Sequence, residues 1–321
     1  MPDARPRSPG SSLVPRSDVT WAAYALGRLW RHAAWIRTEG LARLIEEDQL
    51  NPLDRVGSRL ARRRWRRANP IGPGGAMPVL LVGLQRSGTN MLVRGLERDP
   101  AFEVHGENSA AAFHRFRLRP DPVIRALVER SRHRYVLLKP LCDSHRTADL
   151  LDRLGTAMPP RALWVYRSVD GRARSALAKF GDANLRALRA VAAGDRRRWQ
   201  AQGLSRESLE LIAGFDWDRM DPASAAALFW YVRNRLVFEL GLDRRSDVLL
   251  VSYDAVVARP EPELRRLCAF LNVPWTPHLA TGITARERPV TRLDIHPAIR
   301  ARCDQLASAL DAVAQRVATP S

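Results

Sequence analysis

The sequence predicts an α/β fold: a parallel sheet wrapped by helices, preceded by a helical extension. Three observations carry this. Short runs of continuously apolar residues recur at 78–83, 135–139, 162–167 and 248–252. Segments of helical periodicity separate them, and alternating β and α units imply a parallel sheet. The runs do not alternate apolar with polar residues, which marks strands covered on both faces.

The elements justify themselves in order. Residues 1–17, rich in Pro, Ser and Arg, read as a disordered tail. Residues 18–70 read as a basic helical extension and linker. Trp21, Tyr24, Leu29, Trp35 and Ile36 recur among polar positions, and residues 55–67 hold seven arginines around Trp65. The run Asn69-Pro70-Ile71-Gly72-Pro73-Gly74-Gly75 punctuates the chain, and an α/β domain over 71–321 has its core beginning near Met77. The first strand is followed by a Gly-bearing turn and a helix to about Glu97, and a second strand ends near His105. Helices follow at 148–154, 172–179, 222–240 and 261–271. The third starts at Asp221-Pro222 and stops at Gly241, a well-marked pair of boundaries. In the fourth, Leu264, Leu267, Cys268 and Leu271 share one face.

Composition narrows the function. The 321 residues carry a formal net charge of +18, and lysine occurs only at Lys139 and Lys179. Such a balance fits either a solvated arginine-rich surface or affinity for anions. The three cysteines, Cys142, Cys268 and Cys303, are too few and scattered for a disulfide framework or a zinc site. Without an apolar leader or a run near 20 apolar residues, the expected location is cytoplasmic, with peripheral contact at a membrane as an addition. The extension has three readings: a helical cap on the core, a surface for a membrane or acidic partner, or a nucleic-acid arm. It matches no named nucleic-acid motif, so no specific nucleic acid is predicted.

The chemistry concentrates in Gly83-Leu84-Gln85-Arg86-Ser87-Gly88-Thr89-Asn90, between strand and helix. A turn there aims backbone N–H groups and the helix dipole at an anion, so the sheet is P-loop-like. A nucleotide-triphosphate loop would need Lys and then Ser or Thr after the second glycine. Thr89 and Asn90 stand there instead, and the cation is Arg86. The stretch Gly83–Leu92 resembles the 5′-phosphosulfate loop of sulfotransferases that use 3′-phosphoadenosine 5′-phosphosulfate (PAPS), in its Arg-Ser-Gly-Thr version. That resemblance implies that Arg86, Ser87, Gly88, Thr89 and Asn90 hold the donor, Asn90 departing from the usual second threonine. The run Leu163-Trp164-Val165-Tyr166-Arg167-Ser168-Val169-Asp170-Gly171-Arg172-Ala173-Arg174-Ser175 resembles the same family's 3′-phosphate motif, which implies contacts from Arg167 and Ser175. Val251-Ser252-Tyr253-Asp254 resembles its strand-then-tyrosine segment, placing Tyr253 near the nucleotide. The resemblance spans about 78–275. The family's Arg-Lys-Gly element near the C-terminus has only Arg286 and Arg288 as weak substitutes.

Sulfuryl transfer needs a base for the acceptor proton, cations over the developing charge, and in-line placement, with no metal required. Arg86 and Lys139 are the candidate cations. Val104-His105-Gly106-Glu107 resembles the Gly-Glu of tyrosylprotein sulfotransferases and bacterial relatives, which makes Glu107 the favoured base, with His105 and His145 as rivals. Cytosolic-type relatives carry a histidine where this chain has Leu141. The acceptor, a hydroxyl or amine on a carbohydrate, small molecule or peptide, is expected between residues 108–122 and 181–217, the latter carrying Arg196, Arg197, Arg198 and Trp199. Two other classes remain open from the residues. One is a small-molecule kinase with a variant loop, and the other a non-catalytic protein that binds anions or a membrane surface on the same fold.

Overall fold

The computed structural model describes residues 52–283, 285 and 291–316, with side chains from Leu60 onward. The expected tail, the helical stretch before residue 50, Arg286 and Arg288 lie outside the described residues. The chain divides into two compact units, Met1–Arg59 and Leu60–Ser321. The larger unit holds a five-stranded, all-parallel sheet. Its strands are β1 (Met77–Gly83), β2 (Phe102–His105), β5 (Tyr135–Leu138), β6 (Arg161–Tyr166) and β7 (Val248–Ser252), in spatial order β2-β5-β1-β6-β7. Two short strands, β3 (Phe113–His114) and β4 (Arg117–Leu118), form a separate antiparallel hairpin. Arg115 and Phe116 both take positive φ at its tip, as a tight two-residue turn demands.

Alternation along each strand explains why the apolar runs are unbroken. On β1, Val79 and Leu81 enter one core while Leu80 and Val82 enter the other. The first core also takes side chains from α2 (Thr89–Arg98) and α11 (Pro260–Leu271). Leu264, Leu267, Cys268 and Leu271 are all buried there, as their shared face predicted. The second core gathers α3 (Asp121–Arg130), α4 (Thr147–Arg153), α5 (Val169–Phe180), α6 (Ala183–Ala192), α7 (Arg206–Ala213), α8 (Pro222–Asn234) and α12 (Pro297–Arg316). Trp164 on β6 and Trp230 on α8 are its largest fully buried side chains. Trp164 Nε1 donates to Asn234 Oδ1 at 3.2 Å, so its polar edge is satisfied.

Several boundaries move. The expected helix at 222–240 is α8 followed by the single turn α9 (Leu236–Glu239), and Asp221 Oδ1 caps α8 by accepting from Ala223 and Ser224 N–H. The stretch 181–217 contains α6 and α7, and residues 172–179 are the interior of a helix that begins at Val169. Tyr253, directly after β7 as expected, is the first residue of α10 (Tyr253–Ala258). Ahead of the sheet, α1 (Pro52–Ala68) carries Trp65, whose ring lies parallel to that of His133 at 6.2 Å. Arg62 donates to the Glu97 carbonyl at 3.0 Å. From Leu60 on, that helix is thus used in packing, while Arg63, Arg64, Arg66 and Arg67 stay exposed. Among the described residues no helix is long and apolar enough to cross a membrane.

Candidate active site

Because all five strands run parallel, their carboxyl ends share one edge, and each delivers one of the sequence candidates to it. The loop 84–88 follows β1, Glu107 follows β2, Lys139 follows β5, Arg167 follows β6 and Tyr253 follows β7. Crevices at this edge are where such sheets bind ligands.

The loop is built for close approach. Arg86 (φ 70°) and Gly88 (φ 94°) both take left-handed conformations, costly at the arginine and free at the glycine. A Cβ on Gly88 would lie 2.1 Å from Tyr253 Cδ2, so only glycine lets the loop close on that ring. Gly88 also starts α2, which has neither a side-chain cap nor an acidic residue in its first turn. Its leading N–H groups therefore face the loop without a carboxylate to compete for them. Ser87 is fully buried, and its Oγ has no hydrogen-bond partner. Arg86 Nε donates to Ser175 Oγ at 3.0 Å, which brings the first motif to the second.

Beside the loop, the Arg167 guanidinium lies 4.4 Å over the Tyr253 ring. Its Nε and the neighbouring Ser168 Oγ are buried without hydrogen-bond partners. The backbone there is fixed: Trp230 Nε1 donates to the Arg167 carbonyl at 2.8 Å, and Ser168 N–H donates to Asp254 Oδ2 at 2.6 Å. Three orphaned polar groups, Ser87 Oγ, Arg167 Nε and Ser168 Oγ, thus sit in the two segments expected to hold phosphate. Buried polar atoms are ordinarily paired, so this pattern fits a polyanionic ligand that supplies the missing acceptors.

Glu107 is mostly buried, and Lys139 Nζ stands 3.9 Å from its Oε2. Burial raises the carboxyl to about 7, against the lowering effect of Lys139 and of a hydrogen bond from Cys142. Burial also lowers the Lys139 ammonium, with Glu107 opposing and Arg86 adding to the fall. Lys139 donates to Asn90 Oδ1 at 2.5 Å. The residue that departs from the usual threonine is therefore the one that holds the lysine.

Neither rival base is suited to the task. His105 Nδ1 pairs with Ser109 Oγ at 2.9 Å and its Nε2 with Glu103 Oε1 at 3.1 Å, closing both ring nitrogens. His145 is pushed down to about 3 by burial and by Arg233, Arg117 and Arg146, too weak a base for work near neutral pH. The two segments expected to frame an acceptor do meet. Arg117 on the hairpin donates to Asp143 Oδ1 at 2.7 Å and to Gln202 Oε1 at 2.6 Å. Arg196 and Arg198 are used locally, on the Val191 carbonyl and Asp195, and Trp199 packs edge-on against Phe229.

Sequence reading missed Ser168, Gly171 and Arg172. Arg172 is almost wholly buried and donates to the Gln85 carbonyl (3.3 Å), Asn184 Oδ1 (3.0 Å) and the Ala226 carbonyl (3.1 Å), anchoring the loop from below. A signal was present: Arg172 sits on the apolar stripe of Val169, Ala173 and Ala176, where an arginine needs buried partners. Gly171 leaves room for its neighbours, since a Cβ there would lie 2.7 Å from Arg167 Nε and 2.8 Å from Ser168 Oγ. A cavity of about 730 Å³ lies elsewhere, beyond β7, lined by residues such as Arg259, Arg265, Phe270 and Asp311, and no candidate residue lines it.

The fold and this edge define a parallel α/β protein with a left-handed glycine-bearing loop after its first strand and a buried carboxyl–ammonium pair beside it. No known family profile matches the chain, and no curated protein matches it. Among solved structures it is similar to a sulfotransferase from Alicyclobacillus acidocaldarius, at 20% identity over 76% of this chain and 96% of that one, with a TM-score of 0.41. It is also similar to the sulfotransferase domain of the Synechococcus PCC 7002 olefin synthase, at 16% identity over 75% and 96%, with a TM-score of 0.42. A third likeness is to the sulfotransferase domain of the curacin biosynthetic pathway, at 14% identity over 76% and 98%, with a TM-score of 0.38.

Proposed function

We propose that this protein is a sulfotransferase that uses PAPS and acts on a hydroxyl or amine acceptor. One observation carries the reading: of the eight buried side-chain polar atoms without hydrogen-bond partners among the described residues, three, Ser87 Oγ, Arg167 Nε and Ser168 Oγ, fall in the loop after β1 and at the end of β6. Unpartnered groups on two segments, the loop and the end of β6, fit a nucleotide with two phosphates better than a lone phosphate. Ser87, Gly88 and Thr89, with the first turn of α2, would hold the 5′ side. Arg167, Ser168 and Ser175 would hold the 3′-phosphate, with Tyr253 beneath Arg167.

When bound, the donor supplies an electrophilic sulfuryl group, whose bond to the 5′-phosphate breaks as the acceptor bonds to sulfur. Glu107 takes the acceptor proton, and its raised pKa suits that task near neutral pH. Arg86 and Lys139 put positive charge beside the loop, where the leaving group gains negative charge. Both are held before ligand arrives, Arg86 by Ser175 and Lys139 by Asn90, so little reorganisation is needed.

The test is calorimetric titration with 3′-phosphoadenosine 5′-phosphate, beside ATP with Mg²⁺, for wild type and Arg167→Ala. Tight binding of the bisphosphate, weak binding of ATP, and a loss of roughly 10- to 150-fold in the variant are expected, the worth of one charge-assisted contact. Well-folded protein that ignores the bisphosphate would overturn the reading, and preference for ATP with Mg²⁺ would favour a kinase.

A further inference from the structure

The candidate base is held by a residue with no assigned role. Cys142 Sγ donates toward Glu107 Oε1 across 3.8 Å, and Gln85 Nε2 donates to the same sulfur at 3.5 Å. Gln85 is the loop residue just before Arg86, and its carbonyl is fixed by Arg172. Cys142 sits in the 3₁₀ turn Leu141–Arg146, which Ser144 ties to β1 by accepting from Gly83 N–H at 3.0 Å and donating to the Gly83 carbonyl at 2.9 Å. Gln85 and Cys142, the first two members of the chain Gln85–Cys142–Glu107, are therefore both anchored, Gln85 within the loop and Cys142 to the end of β1 that leads into it.

We propose that Cys142 and Gln85 are positioning residues that form a hydrogen-bonded relay from the phosphate loop to Glu107, holding Oε1 and leaving Oε2 to take the acceptor proton. This rests on reading Glu107 as the base. The groups facing Glu107 are few. Lys139 comes from the end of β5, Cys142 and Asp143 come from the 3₁₀ turn, and Arg86 acts on Lys139 from the loop. Asp143 is engaged by Arg117 Nε at 2.7 Å and by Leu118 N–H at 2.8 Å, so it does not reach for Glu107 as a donor. Lys139 is turned to Asn90. Cys142 is left as the neutral donor to the carboxylate.

The choice of sulfur has a chemical logic. Burial and the nearby Glu107 and Asp143 push the Cys142 thiol up to about 12, so it remains an S–H donor at any working pH. A thiol is a weak donor. It fixes the direction of the carboxylate while lowering its pKa only modestly, less than an arginine would, so the rise caused by burial still prevails. The loop that binds the donor thereby sets the orientation of the group that deprotonates the acceptor, although the two lie on different strands.

The test needs no acceptor. Infrared spectra resolve S–H stretching in a window free of other protein bands, and the difference between wild type and Cys142→Ala isolates this thiol from Cys268 and Cys303. Glu107→Gln and Gln85→Leu should each shift that band, which a merely structural cysteine would not show. In ¹³C-glutamate NMR, Cys142→Ala should raise the Glu107 midpoint by several tenths of a pH unit, with about one unit as the ceiling for a lost neutral hydrogen bond. A band unmoved by Glu107→Gln, or an unmoved Glu107 midpoint in folded Cys142→Ala, would overturn the relay. Should Cys142→Ala fail to fold, the Gln85→Leu band shift decides the matter alone. Calorimetry with 3′-phosphoadenosine 5′-phosphate runs in parallel: a wild type that does not bind it sinks the sulfotransferase reading without touching the relay.

Discussion

Replacing Gly171 by alanine should separate the proposed ligand binding at this edge from stability. Gly171 is the third residue of α5, where alanine is the better helix former by about 0.5–1 kcal/mol. The added Cβ, however, would stand 2.7 Å from Arg167 Nε, 2.8 Å from Ser168 Oγ and 3.3 Å from Arg167 Cζ. Those contacts are too short to persist, and side chains give way more cheaply than the backbone, which Trp230 and Asp254 hold. The Arg167 guanidinium would leave its place over Tyr253, at a cost of about 0.5–1 kcal/mol that offsets the helical gain. Net stability should therefore change by less than about 1 kcal/mol, or a few degrees in Tm for a unit of this size. Binding responds differently. Two of the unpartnered groups at this edge, Arg167 Nε and Ser168 Oγ, are displaced, and losing even one charge-assisted contact costs about 1.5–3 kcal/mol, roughly 10- to 150-fold in Kd. Calorimetry with 3′-phosphoadenosine 5′-phosphate beside a thermal melt reads both quantities. A folded variant with unchanged affinity would show that Arg167 and Ser168 do not face the ligand. A collapse in Tm would show that the backbone, not the side chains, yields.

Glu107→Gln should cut transfer by at least about 100-fold. Below about pH 7 the wild-type rate should rise with pH and then level off, as the carboxyl must lose its proton to act, and a flat limb there would count against it. Glu103 behaves oppositely: burial raises its carboxyl, but hydrogen bonds from His105 and Ser131 outweigh that and bring it down to about 2. Its folded pKa lies below the unfolded value of 4.5, so its stabilisation is present above that pH and fades as pH falls toward 2. Denaturant melts of Glu103→Gln should lie below wild type at pH 7 and converge with it under acid. Arg300→Met should destabilise by about 3 kcal/mol in urea, since it strands Asp170, which accepts from Arg300 at 2.7 and 2.9 Å in a largely buried pair. His105→Gln should leave the acid limb of the rate profile where it is, because both ring nitrogens are already spoken for.

The sheet was legible because burial on both faces leaves a plain mark: four of its strands are uninterrupted apolar runs. The second strand was inferred only from its end, since Phe102–His105 at the sheet edge mixes Glu103 and His105 among apolar residues. The hairpin at 113–118 gave no comparable signal, because its turn is Arg115-Phe116 and not the Asn-Gly or Asp-Gly that announces such a turn. In the candidate site, residues that project from strand ends could be read, since a charged residue closing an apolar run stands out. Residues that act from inside the core could not. Arg172, Cys142 and Gly171 look like ordinary helix and turn positions until the third dimension brings Gln85, Glu107 and Arg167 beside them.

The nine residues from Arg167 to Ser175 show why a single segment can organise the whole edge. Arg167 stacks on Tyr253 from the end of β7, and Ser168 N–H reaches Asp254 one residue on. Asp170 turns the other way, to Arg300 on α12 and to Leu293 N–H at 2.8 Å. Arg172 points inward and holds the Gln85 carbonyl, while Ser175 accepts from Arg86. Within α5 helical geometry accounts for the division, because Asp170 leaves the helix about 200° from Arg172, whereas Arg172 and Ser175, three residues apart, share the face toward the loop. Arg167, Ser168 and the first turn of α5 therefore tie together the loop 84–88, the start of α10 and the C-terminal helix α12. Displacing this turn as a unit would disturb all three, whereas Gly171→Ala moves only the side chains around it. That difference makes the glycine, and not Asp170, the substitution that can separate ligand recognition from folding.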